Sequence, residues 1–290
     1  MLAKLSIAIL LAFFIPGLWV LPRRSDAAPV VSETADRNPI LVELFTSEGC
    51  SSCPPADRLL EKFDSQPIAG AQLIVLSEHV DYWNHIGWTD PYSSALFSQR
   101  QSRYGDGFHL ASVYTPQMVV DGNREFVGSS DREARAAFAQ SQAESKVALH
   151  IQGASVRNGS LHAQIETGSL PQGSRKADVV VVVALSHAES EVARGENAGR
   201  RLTHVAVVRT LQRVATLSAG QSFNQEVTIP VERGVSSDNL RVVAFLQLSG
   251  QGRVLGAAES GLSRSAKNKD QNATTQMTGL EEGRPVRFRR

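Results

Sequence analysis

Apolar positions in the first half of the chain fall into short continuous runs separated by stretches of helical spacing. Ile40-Leu41-Val42-Glu43-Leu44-Phe45 reads as a short buried strand, and Leu73-Ile74-Val75-Leu76 reads as a second. Between them Leu59, Leu60 and Phe63 recur at helical spacing behind Pro54 and Pro55. Proline is tolerated in a first helical turn because its missing N–H would have had no partner there. Asp90-Pro91 marks the start of another helix, with Leu96 and Phe97 as the buried face of a segment running to about Tyr104. Met118-Val119-Val120, the turn residues Asp121-Gly122 and Glu125-Phe126-Val127 form a β-hairpin. Ser130 with Glu133 makes a capping box for a last helix running to about Ser145. The order is β-α-β-α-β-β-α, a sheet that begins parallel and closes with a hairpin. That is the order of a thioredoxin-like domain.

From about Val147 strand-like stretches separated by Gly, Ser and Asn take over, at 147–151, 161–166, 179–185, 204–211, 226–230, 240–248 and 254–258. About seven strands at this spacing fit a small β-sandwich. The expected fold class is therefore an α/β thioredoxin-like domain over 39–146 followed by an all-β, sandwich-like domain over 147–260. Beyond Gly261 the chain is polar, with Arg287, Arg289 and Arg290 and almost no apolar clusters, so 261–290 reads as a disordered tail.

The N-terminus reads as an address. Lys4 precedes an apolar run over 5–15, Pro16 and Gly17 break it, and small residues follow at Ser25, Ala27 and Ala28. This predicts a signal peptide over 1–27 and a linker over 28–38. The competing reading is an uncleaved anchor, since residues 2–21 are barely long enough to span a bilayer, which needs about 20 residues. Either way the folded part is expected outside the cytoplasm, in the periplasm or secreted, where a dithiol is kept oxidised. After cleavage no stable membrane span is expected.

Composition narrows the function classes. Of 290 residues, 42% are hydrophobic and 20% charged, and 30 Lys plus Arg against 29 Asp plus Glu leave a formal net charge of +1. No overall field would draw such a chain onto nucleic acid or an anionic membrane. Two cysteines, three positions apart, cannot build a multi-bridge framework, so their value is local.

The candidate chemistry lies in Cys50-Ser51-Ser52-Cys53, where a strand hands over to a helix N-terminus. Unpaired N–H groups and the positive end of the helix dipole favour thiolate over thiol there. Cys50, expected to be the more exposed, is the candidate nucleophile and Cys53 the resolving thiol. The competing reading is an inert disulfide that pins the loop. Thr115-Pro116, directly before the Met118 strand, stands where thioredoxin-like domains place a cis-proline beside the cysteines, which would offer the Thr115 backbone to an extended substrate. His79, Asp81 and Trp83 leave the second strand at the same sheet edge, where open α/β sheets bind ligands. They are candidate substrate-binding residues, although each alone also reads as a packing or structural residue. No metal is expected; the alternative is a soft-metal set of Cys50, Cys53 and His79 taking Cu(I). Arg194, Glu196, Asn197, Arg200, Arg201 and His204 form a polar cluster on or beside a loop over 186–201, read either as reaching the cysteine edge to bind a polar ligand or as a salt-bridged loop.

The stretch Glu43-Leu44-Phe45-Thr46-Ser47-Glu48-Gly49-Cys50-Ser51-Ser52-Cys53-Pro54-Pro55-Ala56-Asp57 resembles the bacterial secreted domain-of-unknown-function family 1223, grouped with thioredoxin-like folds. The likeness continues through His79-Val80-Asp81-Tyr82-Trp83, Gly87-Trp88, residues 114–122 and Gly195-Glu196-Asn197-Ala198-Gly199-Arg200 with Leu202-Thr203-His204. It implies a bacterial periplasmic protein with a thioredoxin-like part and an appended β part, and it supplies no activity. From the residues, the expected function is a thiol-disulfide oxidoreductase acting on protein or small-thiol disulfides. Its alternatives are a Cu(I) metallochaperone and a partner-binding protein with a structural disulfide. No motif binds a nucleotide or flavin, so no cofactor is expected and electrons must arrive from an external redox partner.

Overall fold

The computed structural model describes residues 37–262. The signal peptide expected over 1–27, most of the linker and the tail from residue 263 lie outside these residues. Among the described residues three α-helices and eleven strands follow in the order β1 (Asn38–Thr46), α1 (Pro54–Ser65), β2 (Ala71–His79), α2 (Ala95–Phe108), β3 (Gln117–Val120), β4 (Arg124–Val127), α3 (Asp131–Gln142), β5 (Leu149–Arg157), β6 (Ser160–Thr167), β7 (Ala177–Glu191), β8 (Arg201–Leu217), β9 (Asn224–Pro230), β10 (Leu240–Leu248) and β11 (Val254–Gly261). Among the described residues no helix is long and apolar enough to cross a membrane.

Each strand and helix predicted from the apolar pattern is present. Pro54 opens α1, and the Ser130 hydroxyl caps α3 by accepting from the Glu133 N–H at 3.3 Å. One boundary is corrected. α2 starts at Ala95, capped by Ser94, and not at Asp90-Pro91. The Asp90 carboxylate is buried and turned inward, where it accepts from the backbone N–H groups of Glu48 and Tyr92.

Eight strands form one mixed sheet in the order β11-β10-β7-β8-β2-β1-β3-β4, and β5-β6-β9 form a second, three-stranded sheet. β1 runs parallel to β2 in a register that sets Asn38 against Ala71 and Thr46 against His79, and β3 returns antiparallel on its other side. The strands beyond Val147 do not all belong to a separate sandwich, because β7, β8, β10 and β11 continue the sheet begun by β1–β4. The joint is narrow: β2 and β8 meet in register only at Ser77 and Val207.

Alternation along the strands then builds the main apolar layers. Ile40, Val42 and Leu44 of β1 pack with Leu60 and Phe63 of α1 and Phe138 of α3. Leu41, Ile74 and Leu76, on the opposite face, pack with Phe97 of α2 and with Val180, Val182, Val243 and Phe245 from β7 and β10. The other face of β7 and β10, including Val181, Val183, Val242 and Ala244, packs against Leu161, Ile165, Val227 and Ile229 of the three-stranded sheet. β7 is apolar on both faces, which accounts for the unbroken run Val179-Val180-Val181-Val182-Val183.

Two groups bind the halves at the edge away from the cysteines. Lys146 donates to Asp121 in the β3–β4 turn at 2.6 Å, while the Val254 N–H of β11 donates to the Asp121 carbonyl at 2.8 Å. At Gly256 a β-carbon would lie 2.1 Å from the Val147 carbonyl oxygen, so the two backbones approach as only glycine allows.

Candidate functional site

β1 ends at Thr46, and the chain crosses the C-terminal edge of the sheet before α1 begins. Cys50 and Cys53 occupy this crossing, joined as a disulfide with their Cα atoms 5.4 Å apart. Cys53 directly precedes α1, and its carbonyl accepts from the Ala56 and Asp57 N–H groups. Ser52 Oγ lies 3.3 Å from Cys50 Sγ.

Both cysteines have 0% relative exposure, which overturns the expectation that Cys50 is open to solvent. The turn between β7 and β8 closes against the backbone of the cysteine loop. Asn197, itself fully buried, donates through Nδ2 to the carbonyls of Glu48 (2.8 Å) and Cys50 (2.9 Å). The Glu196 carboxylate accepts from the Ser51 N–H at 3.0 Å. This contact holds the Glu196 carboxyl below its ordinary pKa. Of the cluster expected on this loop, Glu196 and Asn197 thus reach the cysteines, with Arg200 supporting Asn197 through a 2.8 Å bond to Oδ1. Arg201 turns to Glu189 on the exposed surface instead.

Thr115-Pro116 is a cis peptide, as expected. β3 pairs with β1 so that Gln117 faces Phe45, which sets Pro116 beside the exit of β1. Gly128 is wedged among Leu44, Pro116 and Ala56, so Pro116 also lies close to the first turn of α1. Trp83 joins this segment to the cysteine loop: its Nε1 donates to Thr115 Oγ1 at 2.7 Å, and its Cβ and carbonyl abut Gly49. Asp81 serves elsewhere, accepting from the Ser98 hydroxyl and so bracing the start of α2.

Behind the disulfide lies a buried polar cluster. His79 donates through Nδ1 to Asp90 at 2.7 Å, and the same carboxylate oxygen accepts from the Glu48 N–H at 2.9 Å. His204 of β8 donates through Nε2 to Glu48 at 3.2 Å and holds its Nδ1 3.9 Å from Asp57, while Trp88 Nε1 donates to the other Glu48 oxygen at 2.8 Å. Asp57 accepts from the Thr46 hydroxyl at 2.8 Å. Positions four apart share one face of a helix, so Asp57 stands one turn beyond Cys53 on the face that Cys53 begins.

The charges of this cluster follow from its burial. Desolvation raises the Asp57 pKa against the opposing pull of His204, His79 and the Thr46 bond. For His79, burial opposes the imidazolium, but Asp90 with Asp57 and Glu48 behind it outweighs that and moves the pKa upward. Burial alone would raise Asp90; His79 and the Glu48 and Tyr92 N–H groups bring it down to about 2. His79 Nε2, His204 Nδ1 and the Ser77 hydroxyl have no hydrogen-bond partner among the described residues. Among the described residues no group of three or more His, Cys, Asp or Glu side chains is arranged to hold a metal ion. The set of Cys50, Cys53 and His79 is not such a group.

Sequence reasoning missed Glu48, Asp57 and Asp90. It also missed a second buried network, in which Glu43 accepts from Arg100 Nε at 2.7 Å and from the Tyr104 hydroxyl at 2.5 Å, with Glu78 Oε1 3.5 Å from Arg100. The signal was present in the strands: Glu43 and Glu78 are carboxylates within otherwise buried runs, and a buried carboxylate must find a partner or a proton.

Residues 41–247 match the family DUF1223, described as proteins of unknown function, and the chain belongs to that family. A crystal structure of a protein from Agrobacterium tumefaciens is similar at 28% identity and a TM-score of 0.61, covering 78% of this chain and 95% of its own. HBP35 of Porphyromonas gingivalis shares the fold at 14% identity and a TM-score of 0.55, over 87% of this chain and 80% of its own. No curated protein matches the chain.

Proposed function

We propose that the chain is an exported thiol-disulfide oxidoreductase of thioredoxin-like architecture, in which Cys50 and Cys53 are the working pair. The observation that carries this reading is the placement of the disulfide. It lies at the start of a helix, and Trp83 ties its loop to Thr115-Pro116. In the reduced protein the Cys50 thiolate attacks a substrate disulfide, forming a mixed disulfide and releasing one substrate thiolate. The Cys53 thiolate then attacks the Cys50 sulfur, releasing the second substrate thiolate and restoring the Cys50–Cys53 bond. Two electrons pass to the substrate, and an external dithiol returns them. Asp57, one turn beyond Cys53, is the candidate base: burial raises its pKa, so its ionised carboxylate is the stronger base toward the Cys53 thiol. The Thr115 backbone at the head of β3 pairs with an extended substrate.

The full burial of both sulfurs favours a second reading, a disulfide that only pins the loop. Equilibration of the protein with glutathione or dithiothreitol buffers separates the two. A potential above about −300 mV marks a labile pair and supports the oxidoreductase; one below it marks a structural bond and overturns it.

A further inference from the structure

We infer that the β7–β8 turn over residues 192–200 is a lid that must lift from the disulfide before any thiol reaches it. The inference rests on the oxidoreductase reading and concerns the regulation of that same site.

Thiol-disulfide exchange needs a thiolate to approach a sulfur directly, so a disulfide without exposed surface is inert to external thiols until something moves. Here the covering element is a turn brought in from almost 150 residues away, and it is held by few contacts. Asn197 is its plug, with two bonds to backbone carbonyls on the near side of the cysteines, and Glu196 adds one bond to the Ser51 N–H between them. Those carbonyls and that N–H belong to the loop that exchange must open. The lid therefore occupies backbone groups which an extended substrate would otherwise meet.

The turn is built as one piece. Val192 and Arg200 close it through the Val192 N–H to Arg200 carbonyl bond at 2.9 Å and the Gly199 N–H to Val192 carbonyl bond at 2.8 Å. Arg200 fixes the Asn197 side chain, and Gly195, at φ 79°, rests against Trp88 and the Ile86 carbonyl. Beyond Val192 and Asn197 its residues are largely exposed, so little apolar surface opposes lifting. β7 and β8 extend past the sheet joint as a paired arm, from Leu185 with Val207 to Glu191 with Arg201, and carry the turn at their tip.

The test is the second-order rate at which dithiothreitol reduces the folded protein, followed by acid quench, alkylation and mass shift. Asn197→Ala removes two bonds to carbonyls and is expected to raise the rate about tenfold or more. Glu196→Ala, at an exposed position that leaves packing intact, is expected to raise it about threefold. Urea below the unfolding transition should leave the wild-type rate nearly unchanged if opening is local. Rates within twofold of wild type in both variants overturn the lid, as does a wild-type rate that follows global unfolding. If Asn197→Ala fails to fold, Glu196→Ala alone decides. The reduction potential is measured separately: a structural potential with accelerated variants removes the oxidoreductase and keeps the lid, whereas a labile potential with unchanged rates does the reverse.

Discussion

His79 and His204, on the neighbouring strands β2 and β8, stand edge to face with ring centroids 4.6 Å apart, and neither side chain reaches solvent. Glu48, Asp57 and Asp90 surround the pair, and the protonation of His79 is tied to the stability of the sheet joint beside the disulfide. The raised pKa of His79 fixes the sign. The stability it contributes is fully present below its unfolded value of 6.5 and is lost as pH rises through the higher folded value. Urea unfolding of wild type and His79→Gln between pH 5 and pH 9 is expected to show a wild-type advantage that shrinks toward high pH. A difference independent of pH would show that His79 does not titrate in this way.

Asp90 works in the opposite direction. Its pKa falls from 3.8 to about 2, so its contribution is present above 3.8 and fades as pH falls through about 2. Asp90→Asn is expected to cost about 2 kcal/mol at pH 7, from the shift in its ionisation alone. Denaturant midpoints measured at pH 7 and near pH 2 check this: the gap between variant and wild type should narrow on acidification.

The second network sets two buried carboxyls, Glu43 and Glu78, beside one guanidinium. Burial, followed by the adjacent Glu43 carboxylate, pushes the pKa of Glu78 well above its ordinary value. Glu43 is instead paired with Arg100 and Tyr104. Arg100→Met strands a buried charge and is expected to cost about 3–5 kcal/mol. Glu78→Gln removes a carboxyl that burial and Glu43 already push toward its protonated form, and should cost about 1 kcal/mol or less. Comparable losses for the two variants in urea unfolding at pH 7 would contradict the assignment.

For the cysteines, alkylation of the reduced protein across a pH series is expected to modify Cys50 faster than Cys53. Cys53 directly precedes α1, one turn before the buried Asp57, whereas the Cys50 sulfur lies 3.3 Å from the hydroxyl of the exposed Ser52. Faster modification of Cys53 near neutral pH would exchange the roles of nucleophile and resolving thiol.

Gly256 offers a stability test remote from the site. A methyl group there meets the Val147 carbonyl at 2.1 Å, so the Val147 N–H to Leu255 carbonyl bond of 2.7 Å must give way. Gly256→Ala is expected to lower stability by about 1–3 kcal/mol in thermal or urea unfolding. An unchanged midpoint would show that β11 shifts freely.

Local chemistry made most elements legible. The apolar run at Ile40, prolines at a first helical turn, the Asp121-Gly122 turn with φ of 49° and 67°, and the Ser130 cap each act over a few residues and leave a mark there. Asp90 misled because Asp-Pro is also a helix-start signal, and nothing nearby in sequence announces a buried histidine partner eleven positions away. The exposure of Cys50 was misjudged for a related reason: helix-end geometry describes the cysteine loop alone, while its cover arrives from Glu196 and Asn197. The polar loop itself was visible in the sequence, and so was His204. Its neighbours were not, because spacing reports which face of a strand a residue occupies and not which strand lies opposite. The same gap hid the continuity of the large sheet, since Val179 to Val183 announce burial on two sides without naming either neighbour.

The apolar layer shared by Leu41, Ile74, Leu76 and Phe97 with Val180, Val182, Val243 and Phe245 has a consequence for inheritance and for the bench. A gene shortened to end at residue 146 would encode the cysteines, the proline and all three helices, yet its product would present bare aliphatic surface where β7 and β10 belong. It would also lack Gln247, which bonds both Arg100 and Tyr104 in the network under α2. Such a fragment should be recovered as aggregate. The β strands therefore travel with the disulfide as part of its foundation, and shuffling them between proteins as an interchangeable module would dismantle the site they stand behind.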